Sequence, residues 1–173
     1  MDGIDQHSSA DLTRAVKEKA ISLGAHLVGV APMARMENAP RDLHPKRLLP
    51  EAKSLISMAF RINRGVQQLH LRGTSPMPFS RFAGLEPKVR LDEMALDLAN
   101  FLEDLDFISL PVPANQYYYQ EKGVGEISHK HVAMAAGLGR LGRGGVPRDS
   151  AVRRRRAVDH HFDYSPSFAG SHS

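Results

Sequence analysis

The 173-residue chain is 42% hydrophobic and 24% charged, ordinary globular proportions that fit one domain with a tail and exclude wholesale disorder or a fibrous protein. It holds no cysteine, which excludes disulfide frameworks, thiol catalysis, zinc-ribbon sites and any iron–sulfur cluster ligated by these residues. A net charge of +4 and a pI near 9.6 point toward an anionic partner, yet half the excess lies in residues 146–173 and the remainder is nearly balanced.

Along the chain, residues 1–9 are polar and expected to be disordered. Leu12, Val16, Ala20 and Leu23 recur at helical spacing and predict an amphipathic helix over 10–24, started by Ser9 or Asp11 and ended at Gly24. His26 to Ala31 reads as a short strand stopped by Pro32. Residues 32–50 are punctuated by Pro32, Pro40, Pro45 and Pro50 and read as loop or short helix. Ser54 to Phe60 is the second strand. Between 63 and 86, Gly73, Pro76, Pro78 and Gly84 predict an extended connection packed down by Phe79 and Phe82. Pro87 suits a helical first turn, and Leu91, Met94, Ala95, Leu98, Leu102 and Leu105 form one apolar stripe over 88–105. Phe107 to Val112 reads as a third strand. The alternation predicts an α/β domain over 10–145, with three or four strands flanked by helices.

The least ordinary composition lies between Asn115 and Gly145. Tyr117, Tyr118 and Tyr119 precede Gly123 and Gly125, followed by Ser128-His129-Lys130-His131 and the small apolar run Val132 to Ala136. Ser128 is a good N-cap for a helix over 129–136 that Gly137 would end. His129, Lys130 and His131 then fall on its first turn, where free backbone N–H groups favour an anionic or polar partner. Gly137-x-Gly139-x-x-Gly142 matches a dinucleotide-binding turn only superficially, because it follows a helix rather than a strand and no acidic residue stands at the right distance in a strand. His129 and His131, two residues apart, point to different helix faces, which argues against a metal pair. The bland alternative is a helix with surface histidines and a glycine stop.

The run from Ser128 to Arg143 resembles the Ser-His-Arg-His…Ala-Gly-Leu-Gly…Gly segment of the epoxyqueuosine reductase and reductive dehalogenase superfamily. The order upstream is also similar to that superfamily, including the step Pro50-Glu51-Ala52-Lys53-Ser54 into the second strand. The resemblance covers roughly residues 10–145. It implies a nitroreductase-like layered sheet with flanking helices, incomplete at its C-terminal end, that holds cobalamin. It also implies an oxidoreductase whose electrons arrive through 4Fe-4S clusters, here supplied only by a separate ferredoxin-type partner. The implied cofactor contacts are Ser128, His129, His131, Gly137, Leu138, Gly139 and Gly142. Epoxyqueuosine-type members place an aspartate proton donor ahead of the glycines; the candidates here are Glu126, His129 and His131. A small molecule or a modified tRNA is the implied substrate.

The expectation is therefore a truncated corrinoid-dependent reductase-type domain, inactive without its partner. The alternatives are a non-catalytic α/β module that binds a small molecule or partner, and a basic-tailed tRNA or nucleic-acid binder. Residues 146–173, with Arg153 to Arg156, are expected to form a basic, disordered tail. Read one base out of frame, the codons of Asp159 to Phe162 would encode a more strand-like run. That suggests a frameshift near 146, the alternative being a natural variant with a disordered end. No apolar run approaches the ~20 residues of a membrane span, and no signal-type core opens the chain. The expected location is cytoplasmic, with no membrane partner.

Overall fold

Ser54–Arg61 (β2) is buried without a break from Leu55 to Ala59. A strand buried on both faces must lie inside a sheet, with layers above and below it. The computed structural model describes residues 9–37, 39–114, 125–141, 147–148 and 162–172. In it, β2 pairs antiparallel with Leu27–Pro32 (β1), from Leu27 opposite Ala59 to Pro32 opposite Ser54. Phe107–Pro111 (β3) forms the far edge. Arg140–Leu141 (β4) and Pro147–Arg148 (β5) form a separate two-stranded ladder. Phe162–His172 (β6) fills the gap between β2 and β3, antiparallel to both.

The alternation of β2 separates two cores. Ile56 and Met58 pack with Val16 and Ala20 of Ser9–Ser22 (α1), and with Leu91, Met94, Leu98 and Leu102 of the long helix. Leu55 faces the other way, into a cluster with Ala31, Met33, Met36, Leu49, Ile127 and Val132. The 3₁₀ turns Met33–Met36, Arg41–Leu43 and Pro45–Arg47 carry the chain across this second face, each starting next to a proline. The result is a mixed helix-and-sheet domain, as the alternation predicts, with an antiparallel sheet.

Residues 63–86 depart from the expected extended connection. They form Arg64–Leu71 (α2), the single turn Met77–Phe79 (α3), a π-helical segment Ser80–Leu85, and then Glu86–Glu103 (α4). The glycine and prolines punctuate helices here. The Asn63 side chain caps α2 by accepting from the Gly65 N–H at 2.8 Å, Gly73 follows the C-cap at φ +64°, and Pro78 and Pro87 sit in helical first turns. Phe79 stacks on His70 at 3.8 Å between ring centroids, whereas Phe82 is exposed rather than packed down. The long helix ends at Glu103, two residues before the expected limit, leaving Leu105 at the surface.

The expected tail also differs where it is described. Phe162–His172 is a strand, because the second edge of β2 carries backbone N–H and C=O groups that need partners inside a buried layer. Residues 1–8 and the arginine run Arg153 to Arg156 lie outside the described residues.

Candidate functional site

His129–Ala135 (α5) lies on the second face of the sheet, against β2 and β6. Ser128 occupies the N-cap position in extended conformation, and its N–H donates to the Leu43 carbonyl at 3.4 Å. Its hydroxyl does not cap the helix as expected. It lies 2.6 Å from His131 Nδ1, so the imidazole one turn on takes the place of a backbone N–H. The other end closes as predicted. The Leu138 N–H donates to the Ala133 carbonyl at 2.9 Å and the Gly137 N–H to Met134 at 3.0 Å, with Gly137 at φ +76°. Arg35 Nη1 adds a bond to the Ala135 carbonyl at 3.1 Å.

A Cβ on Gly137 would meet nothing within 4 Å, so only backbone conformation resists substitution there. Gly137→Ala is expected to destabilise the domain by about 1–2 kcal/mol. Thermal unfolding should show a midpoint a few degrees lower, with the helical circular dichroism of the folded state unchanged.

The approach of α5 to the sheet is set by Gly29 on β1. An ideal Cβ there would stand 2.3 Å from the Ala136 carbonyl oxygen and 2.9 Å from the Ala136 Cβ. Val132 and Ala133 are fully buried on the sheet-facing side, and His129, three and four residues before them, shares that side. Burial pushes the His129 imidazole down to about 4, so the ring is neutral at physiological pH. Its Nδ1 is buried with no hydrogen-bond partner. The Ser57 hydroxyl, opposite Gly29 in the strand register, is orphaned in the same way. Ser57 alternates with Leu55 and Ala59, so it too faces the α5 layer. An unpaired buried polar atom costs roughly 1–3 kcal/mol, a cost that a bound polar group would relieve.

Of the residues singled out in the sequence, Ser128 and His131 are brought into contact, and His129 turns away from them toward the sheet. Glu126 is half-buried in the bend before α5. Leu138 is 8% exposed and packs with Ala59 and Ala133, so its side chain serves the core. Gly137 is exposed and Gly139 half-buried, while Gly142 lies outside the described residues. Among the described residues, no three His, Asp or Glu side chains gather as a metal site. Sequence reasoning missed Gly29, Arg35 and Ser57. A glycine inside an apolar strand is itself a sign of close backbone approach and could have flagged the first.

The arrangement defines a mixed helix-and-sheet domain whose second face presents a glycine-flanked helix and two orphaned polar atoms. Its fold is shared with epoxyqueuosine reductases and reductive dehalogenases. The epoxyqueuosine reductase from Streptococcus thermophilus superposes with a TM-score of 0.63 at 16% identity, covering 94% of this chain and 47% of that one. The catabolic reductive dehalogenase NpRdhA gives 0.65 at 17% identity, covering 100% and 21%. An epoxyqueuosine reductase solved with a tRNA-Tyr epoxyqueuosine-modified stem loop gives 0.57 at 15% identity, covering 94% and 46%. The chain thus spans less than half the length of each. No protein-family model matches the sequence, and no curated protein does.

Proposed function

We propose that the chain is the corrinoid-holding part of a reductase of the epoxyqueuosine reductase or reductive dehalogenase kind, layered as in nitroreductase-like folds. The observation that carries this reading is the agreement of two independent features. The fold matches both kinds of protein over at least 90% of the chain, and the Ser128–Gly139 segment, which resembles theirs in sequence, lies on one face of the sheet with a half-buried imidazole whose buried Nδ1 has no partner. When bound, the corrinoid would supply a reducible metal centre for removing oxygen or halogen from a substrate.

The chain's own residues divide the remaining work. His129, held neutral, offers a ring nitrogen to a polar group of the ligand. It is a poor proton donor, since at pH 7 only about one ring in a thousand is protonated when the pKa is near 4. Proton supply therefore falls to His131, oriented by Ser128, or to Glu126. Gly137 and Gly139 lack the Cβ atoms that would hold a large flat ring off the backbone, and Leu138, between them, is anchored in the core. These residues contain no cysteine, so the thiolates for any 4Fe-4S cluster lie outside them, on a ferredoxin-type electron donor. The neighbour solved with a modified tRNA stem loop favours modified tRNA as the substrate class, with small halogenated molecules second. No helix among the described residues is long and apolar enough to cross a membrane.

Hydroxocobalamin titrated into wild type and Gly139→Val, followed by visible absorbance, tests the loop. The expected result is binding by wild type and at least a tenfold loss in the variant, with thermal unfolding still cooperative. Equal affinity in the two would remove the loop from the site.

A further inference from the structure

Charge is segregated along one continuous stretch of this chain. Arg61 to Arg90 carries six Lys or Arg and one acid, while Leu91 to Ser109 carries six acids and no Lys or Arg. The basic part is mostly a helical arm, α2 through the π segment, which packs on itself and on α4. It exposes large apolar side chains, with Leu71 at 83% and Met77 at 72%. The acidic part is the rest of α4 and the strand after it. On the outer face of α4 and the residue that precedes it, Leu85, Val89 and Leu96 are spaced by four and seven residues, so they fall on one line, and all three are exposed. Glu93 and Asp97 flank that line and are exposed as well.

An apolar surface of this kind signals a partner. The partner whose chemistry it fits is a second copy of this chain. A stretch whose first half is basic with exposed apolar side chains and whose second half is acidic with exposed apolar side chains is complementary to itself when two copies are related by a two-fold axis. Exposed Leu and Met side chains do not stack on bases, which disfavours a nucleic acid as occupant.

We propose that two copies associate through an isologous interface in which their α4 helices lie antiparallel, the basic arm of each against the acidic half of the other. The helix dipoles also align favourably in that arrangement. Magnitudes assign the arm an essential part. The 18 residues of α4 span roughly 27 Å, and a strip one helix wide is roughly 270 Å², well below the roughly 800 Å² per partner of a stable interface. The arms must supply most of the remainder.

The test uses two charge-reversed forms of the full chain, Arg64→Glu with Arg72→Glu, and Glu93→Lys with Asp97→Lys. All four positions are exposed, so both forms should fold, as circular dichroism will verify. Sedimentation equilibrium should find wild type dimeric, with dissociation strengthened by raising salt from 0.1 to 0.5 M. Each variant alone should show a dissociation constant at least tenfold higher, because like charges then meet. An equimolar mixture should restore a heterodimer, since both arm-to-helix contacts become complementary again. A wild-type monomer at every concentration, or variants that dimerise as wild type does, would overturn the proposal. Binding of the monomer to RNA or anionic vesicles through the arm, with no dimer, would overturn it and give the face to that occupant.

Discussion

Gly29→Ala is expected to unseat α5 and to cost more stability than the same change at Gly24, Gly65, Gly73, Gly84 or Gly137. The added carbon would lie 2.3 Å from a backbone carbonyl oxygen, far inside contact distance, and backbone cannot rotate away as a side-chain tip can. Relief requires α5 to lift from β1. That would pull Val132 and Ala133 from their buried positions and Leu138 from its contact with Ala59. Overpacking of this kind costs about 3 kcal/mol or more, which for a chain of this length is roughly 6–12 °C in the thermal midpoint. The same lift would disturb the Ser128–Gly139 segment, so corrinoid affinity should fall together with stability. A variant that melts within a degree or two of wild type would show that α5 does not pack on β1 as described.

Acid should weaken the fold over a defined window. The folded-state pKa of His129 is lowered to about 4 by burial, against an ordinary value of 6.5. The unfolded chain therefore binds the proton more readily. The contribution of the neutral ring is fully present above pH 6.5 and is lost progressively as pH falls through 4. At 1.36 kcal/mol per pH unit the loss is about 3 kcal/mol. His26 is shifted in the same direction, by burial first and by Arg61 second, so wild type alone does not isolate the effect. Urea denaturation of wild type and His129→Gln at pH 7 and pH 4 does. The variant should lose about 3 kcal/mol less between the two pH values, and equal losses would contradict a buried neutral imidazole.

What the sequence made legible follows from where local chemistry suffices. The stripe from Leu91 to Leu102 and the buried run of β2 announce themselves by period and composition, and both lie where expected. Gly137 was readable as a helix stop because the left-handed turn it takes needs a glycine. Residues 63–86 misled because proline and glycine mark helix ends as readily as extended chain, and the cap that starts α2 is a single asparagine with no other local signal. Phe162–His172 was hidden for a different reason. Asp163, Ser165, Pro166, Ser167 and Gly170 have little intrinsic strand preference, and it is the unfilled edge of β2 that places them. The candidate site was half legible. The segment Ser128–Gly139 stood out by composition, yet which partner each side chain takes was decided by packing. The Ser128 hydroxyl meets His131, the Nδ1 of His129 is left buried without a partner, and Leu138 turns into the core.

The proposed function requires the α5 face to hold a corrinoid. Equilibrium dialysis of the 173-residue chain against hydroxocobalamin, read by visible absorbance of the retained material, tests it most directly. Folded protein is expected to retain corrinoid in about equimolar amount, with an absorbance spectrum shifted from that of the free compound. Protein that is folded by circular dichroism yet retains no corrinoid above the dialysate concentration would contradict it.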